Sequence, residues 1–335
     1  MRFGCSFWLD RDPREVARLA RIAEEAGFQD VWFPDHYFIR EVYGALALAA
    51  AATTRVCLGT AVTSPYLRHP VLLASAVATL DEISGGRAIF GLGVGGHEFP
   101  SQLNVKLDKP IAACREAVEI VRRLLAGETV THRGKIFSVQ AAKLGFTPSR
   151  RIPVYLAARG PQMLQLAGEI ADGIITHGLH PTYLSFAKER ADAGCGKAGR
   201  PTGTVDLAWM GEIAVTDDLP ATREHLRPKC ILMAGGEYAL ELVGRYGLTL
   251  ADVAPVREAV RAGDLAAAAK AVNDRVVDAF CIAGSAEACR EMVRAAARAG
   301  VTHILASAGG GKTEAEHRAT LETLGRELIA PLASL

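Results

Sequence analysis

Polar and apolar positions along this chain alternate in blocks rather than residue by residue. The short apolar runs "RFGCSFW", "QDVWF", "RVCLGTAV", "RAIFGLG", "IPVYLAA", "DGIITHG", "TVDLAWMGEIAV" and "VTHILAS" are each followed by a longer stretch with helical spacing. Runs that are apolar on consecutive residues suit strands covered on both faces, as in a parallel sheet. The first intervening stretch opens at "DRDPRE" and closes at Gly27, the punctuation of a helix. Counting units gives about eight strand–helix pairs, which predicts a closed (β/α)8 TIM barrel of the α/β class over an open sheet.

Two segments break the repeat. Residues 127–150, "GETVTHRGKIFSVQAAKLGFTPSR", read as a hairpin turning at Gly134, and residues 217–275 read as a long helical stretch around "GDLAAAAKAVND". No shift of composition marks a linker, so both are expected as insertions on a single domain spanning residues 1–335. The helices "VYGALALAAAA" and "PVLLASAVATL" carry more small apolar residues than a solvated face needs.

Composition narrows the function classes. The chain has 335 residues, 50% hydrophobic and 22% charged, with a net charge of +1, which gives no electrostatic case for nucleic acid or an anionic membrane as partner. "MRFGCSFW" leads straight into a strand and leaves no room for a signal peptide. No window reaches the ~20 apolar residues that span a bilayer. Seven cysteines without CxxC spacing fit reduced thiols, so a cytoplasmic protein acting on a small molecule is expected.

In a barrel of this kind chemistry collects at the C-terminal ends of the strands. There the sequence offers Ser6 and Trp8, then Asp35, His36 and Tyr37, then "GTAVTSPYLRHP", "GLGVGGHEFP" and "AARGPQM". Asp35 and His36 have a plain alternative as a helix cap and an exposed ring. The glycines, Gly95 and Gly96 among them, let a backbone approach a flat ligand closely, or simply turn the chain. "AARGPQM" opens directly onto a helix, whose free N–H groups suit an anion such as phosphate. Metal and nucleophile readings fare poorly, since neither HExxH nor G-x-S-x-G occurs and no Cys/His spacing recurs.

"VWFPDHY", "LGTAVTSPYLRHPVLLASAVATLDEISGGRAIFGLGVG", "PVYLAARGPQMLQLAGEIADGII" and "AGVTHILA" together resemble the bacterial-luciferase-like superfamily. Within it the chain is most similar to the methylenetetrahydromethanopterin reductases of the branch that uses the deazaflavin coenzyme F-420 (8-hydroxy-5-deazaflavin). The resemblance covers nearly the whole chain. It implies a luciferase-like barrel with the coenzyme at its C-terminal face and a non-proline cis peptide bond at Ala61-Val62 backing the ring. It further implies coenzyme contacts from Asp35 and His36, and a phosphate turn made by Ala158, Arg159 and Gly160. The superfamily's helices in the region of the two small-residue helices imply a homodimer or dimer of dimers.

Two departures stand out. The reductases carry a glutamate, thought to be a proton donor, where this chain has Ser6. An acidic residue expected after the strand-four glycines is replaced by Gly96, with His97 and Glu98 following. The resulting expectation is an F-420-dependent oxidoreductase with His36 or Glu98 as proton relay. The alternatives are an FMN-dependent luciferase-like monooxygenase and a cofactor-binding barrel without catalysis.

Overall fold

The computed structural model of the chain describes residues 1–36, 38–95, 103–236, 239–308 and 313–335. Its strands are β1 (Arg2–Phe7), β2 (Asp30–Phe33), β3 (Cys57–Thr60), β4 (Ala88–Leu92), β5 (Val130–Arg133), β6 (Ser138–Ala142), β7 (Val154–Ala157), β8 (Gly173–Thr176), β9 (Asp206–Val215), β10 (Ile282–Gly284) and β11 (His303–Ala308). Parallel pairing runs β11-β1-β2-β3-β4-β7-β8-β9, and β9 pairs back with β11, closing an eight-stranded barrel. The expected (β/α)8 architecture is the one observed.

Helices α1 (Pro13–Glu25), α2 (Val42–Ala52), α3 (Pro70–Ser84), α4 (Pro110–Leu125), α5 (Pro161–Ile170) and α6 (Pro181–Lys197) return the chain between the earlier strands. Five of them start on proline, whose missing N–H costs nothing in a first turn. Gly85 closes α3 at φ 65°, a left-handed conformation open to glycine without a Cβ penalty.

Strand pleating divides the apolar residues into two layers. Phe3, Cys5, Phe7, Val31, Phe33 and Phe90 face outward into the packing between strands and helices. Trp32, Ile89, Tyr155, Ile175, Ala208 and Leu305 fill the barrel interior. Trp32 takes that space because its neighbour is glycine: a Cβ on Gly59 would lie 2.8 Å from the indole ring.

The N-terminal end of the barrel is spent on stability. Arg2 pairs with the fully buried Asp30, which also faces His303 Nε2 at 3.0 Å, and Tyr155 donates to Asp206 at 2.5 Å. A surface cleft of about 470 Å³ lies at this end, lined by Arg2, Glu24, Gln29, Arg55 and Cys57. Its carboxylate is occupied, since Glu24 accepts the backbone N–H groups of Thr54, Arg55 and Val56.

Two segments lie outside the strand–helix repeat. β5 and β6 make an antiparallel hairpin turning through Gly134. The second segment is helical: α7 (Leu219–Gly235), α8 (Ala239–Leu242), α9 (Leu250–Arg261), α10 (Leu265–Ala271) and α11 (Asp274–Phe280). Helices α12 (Ala286–Arg298) and α13 (Glu314–Leu324) flank β11. One strand went unread in the sequence: β10, three residues long, pairs with the outer end of β9.

Candidate active site

The C-terminal rim gathers the polar groups that the apolar barrel otherwise excludes. On the β1–β2 side, the Trp8 and His36 rings lie 4.7 Å apart between centroids. Asp35 is no helix cap; Glu41 caps α2, accepting from the Gly44 N–H. The buried Asp35 carboxylate instead accepts Thr63 Oγ1 at 2.7 Å and Arg68 Nε at 2.9 Å, tying the loop after β2 to the loop after β3. Arg68 also reaches Glu41 at 2.8 Å. The placement of Asp35 and His36 together at the rim follows the sequence; the clamp of Asp35 to Arg68 does not.

The peptide bond Ala61-Val62 is cis, at the position the resemblance implied. Thr63 then bridges to β4, its N–H on Gly91 O at 3.1 Å and its carbonyl accepting from Gly93 N–H at 2.9 Å. The Val62 side chain lies against Gly93, where an added Cβ would stand 2.7 Å from Val62 Cγ2 and 3.0 Å from Ala157 Cβ. Glycine at 93 thus lets a valine wall form between β3 and β7. Gly95 follows with φ 85°. Gly96 and Glu98, with Tyr37 and His97, lie outside the described residues.

Across the rim, β7 ends in the turn that reads "AARGP". Ala158 is buried, its N–H on Ile175 O at 3.0 Å, and Gly160 stands at the start of α5 with no side-chain cap. The N–H groups of Gln162 and Met163 in that first turn have no acceptor within the helix. The Arg159 guanidinium is half-buried and touches Met233 Sδ at 3.3 Å; among the described residues no carboxylate pairs with it.

Two rim residues escaped the sequence reading. His177, immediately after β8, holds Met210 O with Nδ1 at 2.7 Å. A carbonyl only accepts, so Nδ1 carries the proton and Nε2 is left as an acceptor. Burial, with the charge of Arg159 adding to it, holds the imidazole down to a pKa of about 4, neutral across the physiological range. Glu212, on the inward face of β9, accepts Ser307 Oγ at 3.1 Å. Each had a visible signal: His177 directly follows the apolar run "GIIT", and Glu212 interrupts the run "LAWMGEIAV". Ser6 is buried beside Ser307 in register.

A closed parallel barrel with a half-buried cation beside a helix start that lacks a side-chain cap, a neutral imidazole and a valine wall on one rim is the build of an α/β-barrel protein whose polar groups gather at the C-terminal ends of its strands. The chain belongs to the luciferase-like monooxygenase family, whose model matches residues 2–303. It is 37% identical to the 5,10-methylenetetrahydromethanopterin reductase of Archaeoglobus fulgidus, over 99% of this chain and 100% of that protein. It is 33% identical, over 68% of this chain and 72% of that protein, to the F420-dependent glucose-6-phosphate dehydrogenase of Microbacterium testaceum. The solved coenzyme F420 dependent tetrahydromethanopterin reductase of Methanopyrus kandleri superposes with a TM-score of 0.89 at 30% identity, covering 98% of this chain and 99% of that one.

Proposed function

We propose that this chain is a deazaflavin-dependent oxidoreductase that transfers hydride between coenzyme F-420 and a small organic substrate, with a methylenetetrahydropterin as the first acceptor to try. The observation that carries the reading is Arg159: a half-buried guanidinium without a described carboxylate partner, next to the uncapped start of α5. Burying an unpaired cation is costly, and an anionic ligand group removes that cost. The names of the relatives agree with this choice.

The residues suit the group. Arg159, with the N–H groups of Gln162 and Met163, would hold a phosphate, and Ala158 and Gly160 shape the turn that brings them together. Val62, seated on Gly93, offers a flat apolar face for a ring. When bound, a deazaflavin supplies the hydride donor or acceptor. The chain's own residues orient, exclude water and handle protons. His36, its ring tilted against Trp8, and the neutral His177, whose Nε2 is an acceptor, are the imidazoles placed to do so. Asp35 acts through structure, fixing Arg68 and the loop that carries the cis bond.

We further propose a homodimer using α2 and α3, where Leu48 is 42% and Leu72 64% exposed on helices otherwise built of small apolar residues. A reducing, cytoplasmic setting accords with seven cysteines present as thiols. No described helix is long and apolar enough to cross a membrane.

Titration of the purified protein with the deazaflavin coenzyme and separately with FMN, followed by fluorescence, tests the reading. Saturable deazaflavin binding at least 10-fold tighter than FMN is expected. The reverse order would move the protein to the FMN-dependent alternative, and binding of neither would remove the oxidoreductase reading.

A further inference from the structure

Two thiols meet inside the molecule, behind the helical segment that reaches the rim. Cys230 of α7 and Cys281, the residue joining α11 to β10, are 1% and 4% exposed, and their Sγ atoms stand 3.6 Å apart. Other buried thiols face backbone carbonyls: Cys5 donates to Asp30 O, Cys195 to Gly168 O and Cys289 to Gly284 O. A cysteine used as a small apolar residue settles in that way. Cys230 and Cys281, 51 residues apart, instead meet sulfur to sulfur. Ion pairs hold their two elements in register. Arg223 of α7 reaches Asp274 and Asp278 of α11 at 3.2 and 2.8 Å, and Arg227 reaches Asp274 at 3.0 Å.

We propose that Cys230 and Cys281 are a redox pair: a peroxide joins them as a disulfide, which fastens α7 to the barrel and lowers the affinity of Arg159 for an anionic group. The sulfurs have to close from 3.6 Å to about 2.05 Å, which side-chain rotation and a small shift of α7 supply. One thiol attacks the peroxide, the O–O bond breaks, and a sulfenic acid and a water form. The second sulfur then displaces the sulfenic oxygen, which leaves as water with the second thiol proton. Two thiols and one peroxide thus give one disulfide and two waters; sulfur loses two electrons and the peroxide gains them.

A small oxidant reaches the pair when α7 opens locally. That helix lies at the surface, with Leu232 52% exposed. Pro228, inside α7 and two residues before Cys230, lacks the N–H that would bind the Glu224 carbonyl, so this turn opens more readily than its neighbours.

The link to the rim is one helical turn long. Cys230 and Met233 are three residues apart and both are buried on the inner face of α7. Met233 Sδ is the atom that touches Arg159 Nη1 at 3.3 Å. With α7 fastened, Met233 stays against the guanidinium, and an anionic group has to displace it. The effect on coenzyme affinity rests on the oxidoreductase reading; the pairing of the thiols does not.

The native chain and Cys230→Ala are treated with hydrogen peroxide, quenched with catalase and compared in three ways. These are mass spectrometry of non-reduced peptides, carbon-13 NMR of the methionine methyls with Met233 assigned through Met233→Leu, and titration with the deazaflavin coenzyme. The native chain should yield a Cys230–Cys281 cross-linked peptide that dithiothreitol cleaves, and its Met233 methyl signal should move. Its Kd should rise about 5-fold or more, the lower end of coupling between sites, and return on reduction. Cys230→Ala should show none of these changes, and Cys281→Ala serves as the control should that variant not fold. Thiols left free at both positions in the native chain, or a cross-link that leaves the Met233 signal unmoved, overturns the proposal. So does an unchanged Kd in a cross-linked chain that binds the coenzyme. If the reduced native chain binds no deazaflavin, the oxidoreductase reading fails, and the cross-link and the Met233 signal still decide the switch.

Discussion

Single residues show how far the amino-acid order reaches. The stretch "PDHY" was legible as a strand end at the barrel rim, but what Asp35 holds there depends on Arg68, 33 residues further on, and no local pattern links the two. The position of Arg159 was legible because the turn that carries it runs directly into a helix start. His177 likewise follows directly on its strand, and its hydrogen bond was hidden because the partner is a backbone carbonyl on another strand. Its neutrality has a consequence for stability. In the unfolded chain this ring takes a proton below about 6.5, whereas in the folded protein it resists down to about 4. Between those values the unfolded state binds the extra proton, so stability falls as pH drops through that window. Urea unfolding at pH 7 and pH 5 should therefore show a loss for the native chain that His177→Gln reduces. Equal losses in both would show that burial does not hold the ring neutral.

At the scale of elements, the apolar runs announced every barrel strand, because a strand covered on both faces has no polar positions to blur it. β10 was missed for the opposite reason: three residues cannot show a period, and its pairing with β9 is settled by tertiary contact. The hairpin of β5 and β6 was visible in its turn, but its anchor was not. Glu116 of α4 accepts the N–H groups of Lys135, Ile136 and Phe137 at 2.7, 3.1 and 2.9 Å. Burial alone would raise this carboxyl, yet those three N–H groups outweigh it and hold the pKa below its ordinary value. The stabilisation is thus complete above about 4.5 and is lost as pH falls through the lowered value. Glu116→Ala should cost about 1–3 kcal/mol at pH 7, the penalty of orphaning buried donors. It should also raise amide exchange across residues 130–142 first. Unchanged exchange there would show that the hairpin holds by its own ladder.

For the whole molecule, the barrel supplies one stiff rim to which eight strands each send a residue, and the account of function depends on what that rim attracts. Its assembly is checked by light scattering: a dimer is expected at micromolar concentration, with Leu72→Glu shifting it to monomer, and a monomeric native chain would remove the proposed interface. The reading of the rim itself turns on Arg159. Fluorescence titration of the deazaflavin coenzyme into the native chain and into Arg159→Ala measures that directly. Loss of a charge-assisted contact of about 1–3 kcal/mol predicts a Kd raised roughly 5- to 150-fold, with the fold intact by circular dichroism. An unchanged Kd would contradict the anionic-coenzyme site on which this account rests.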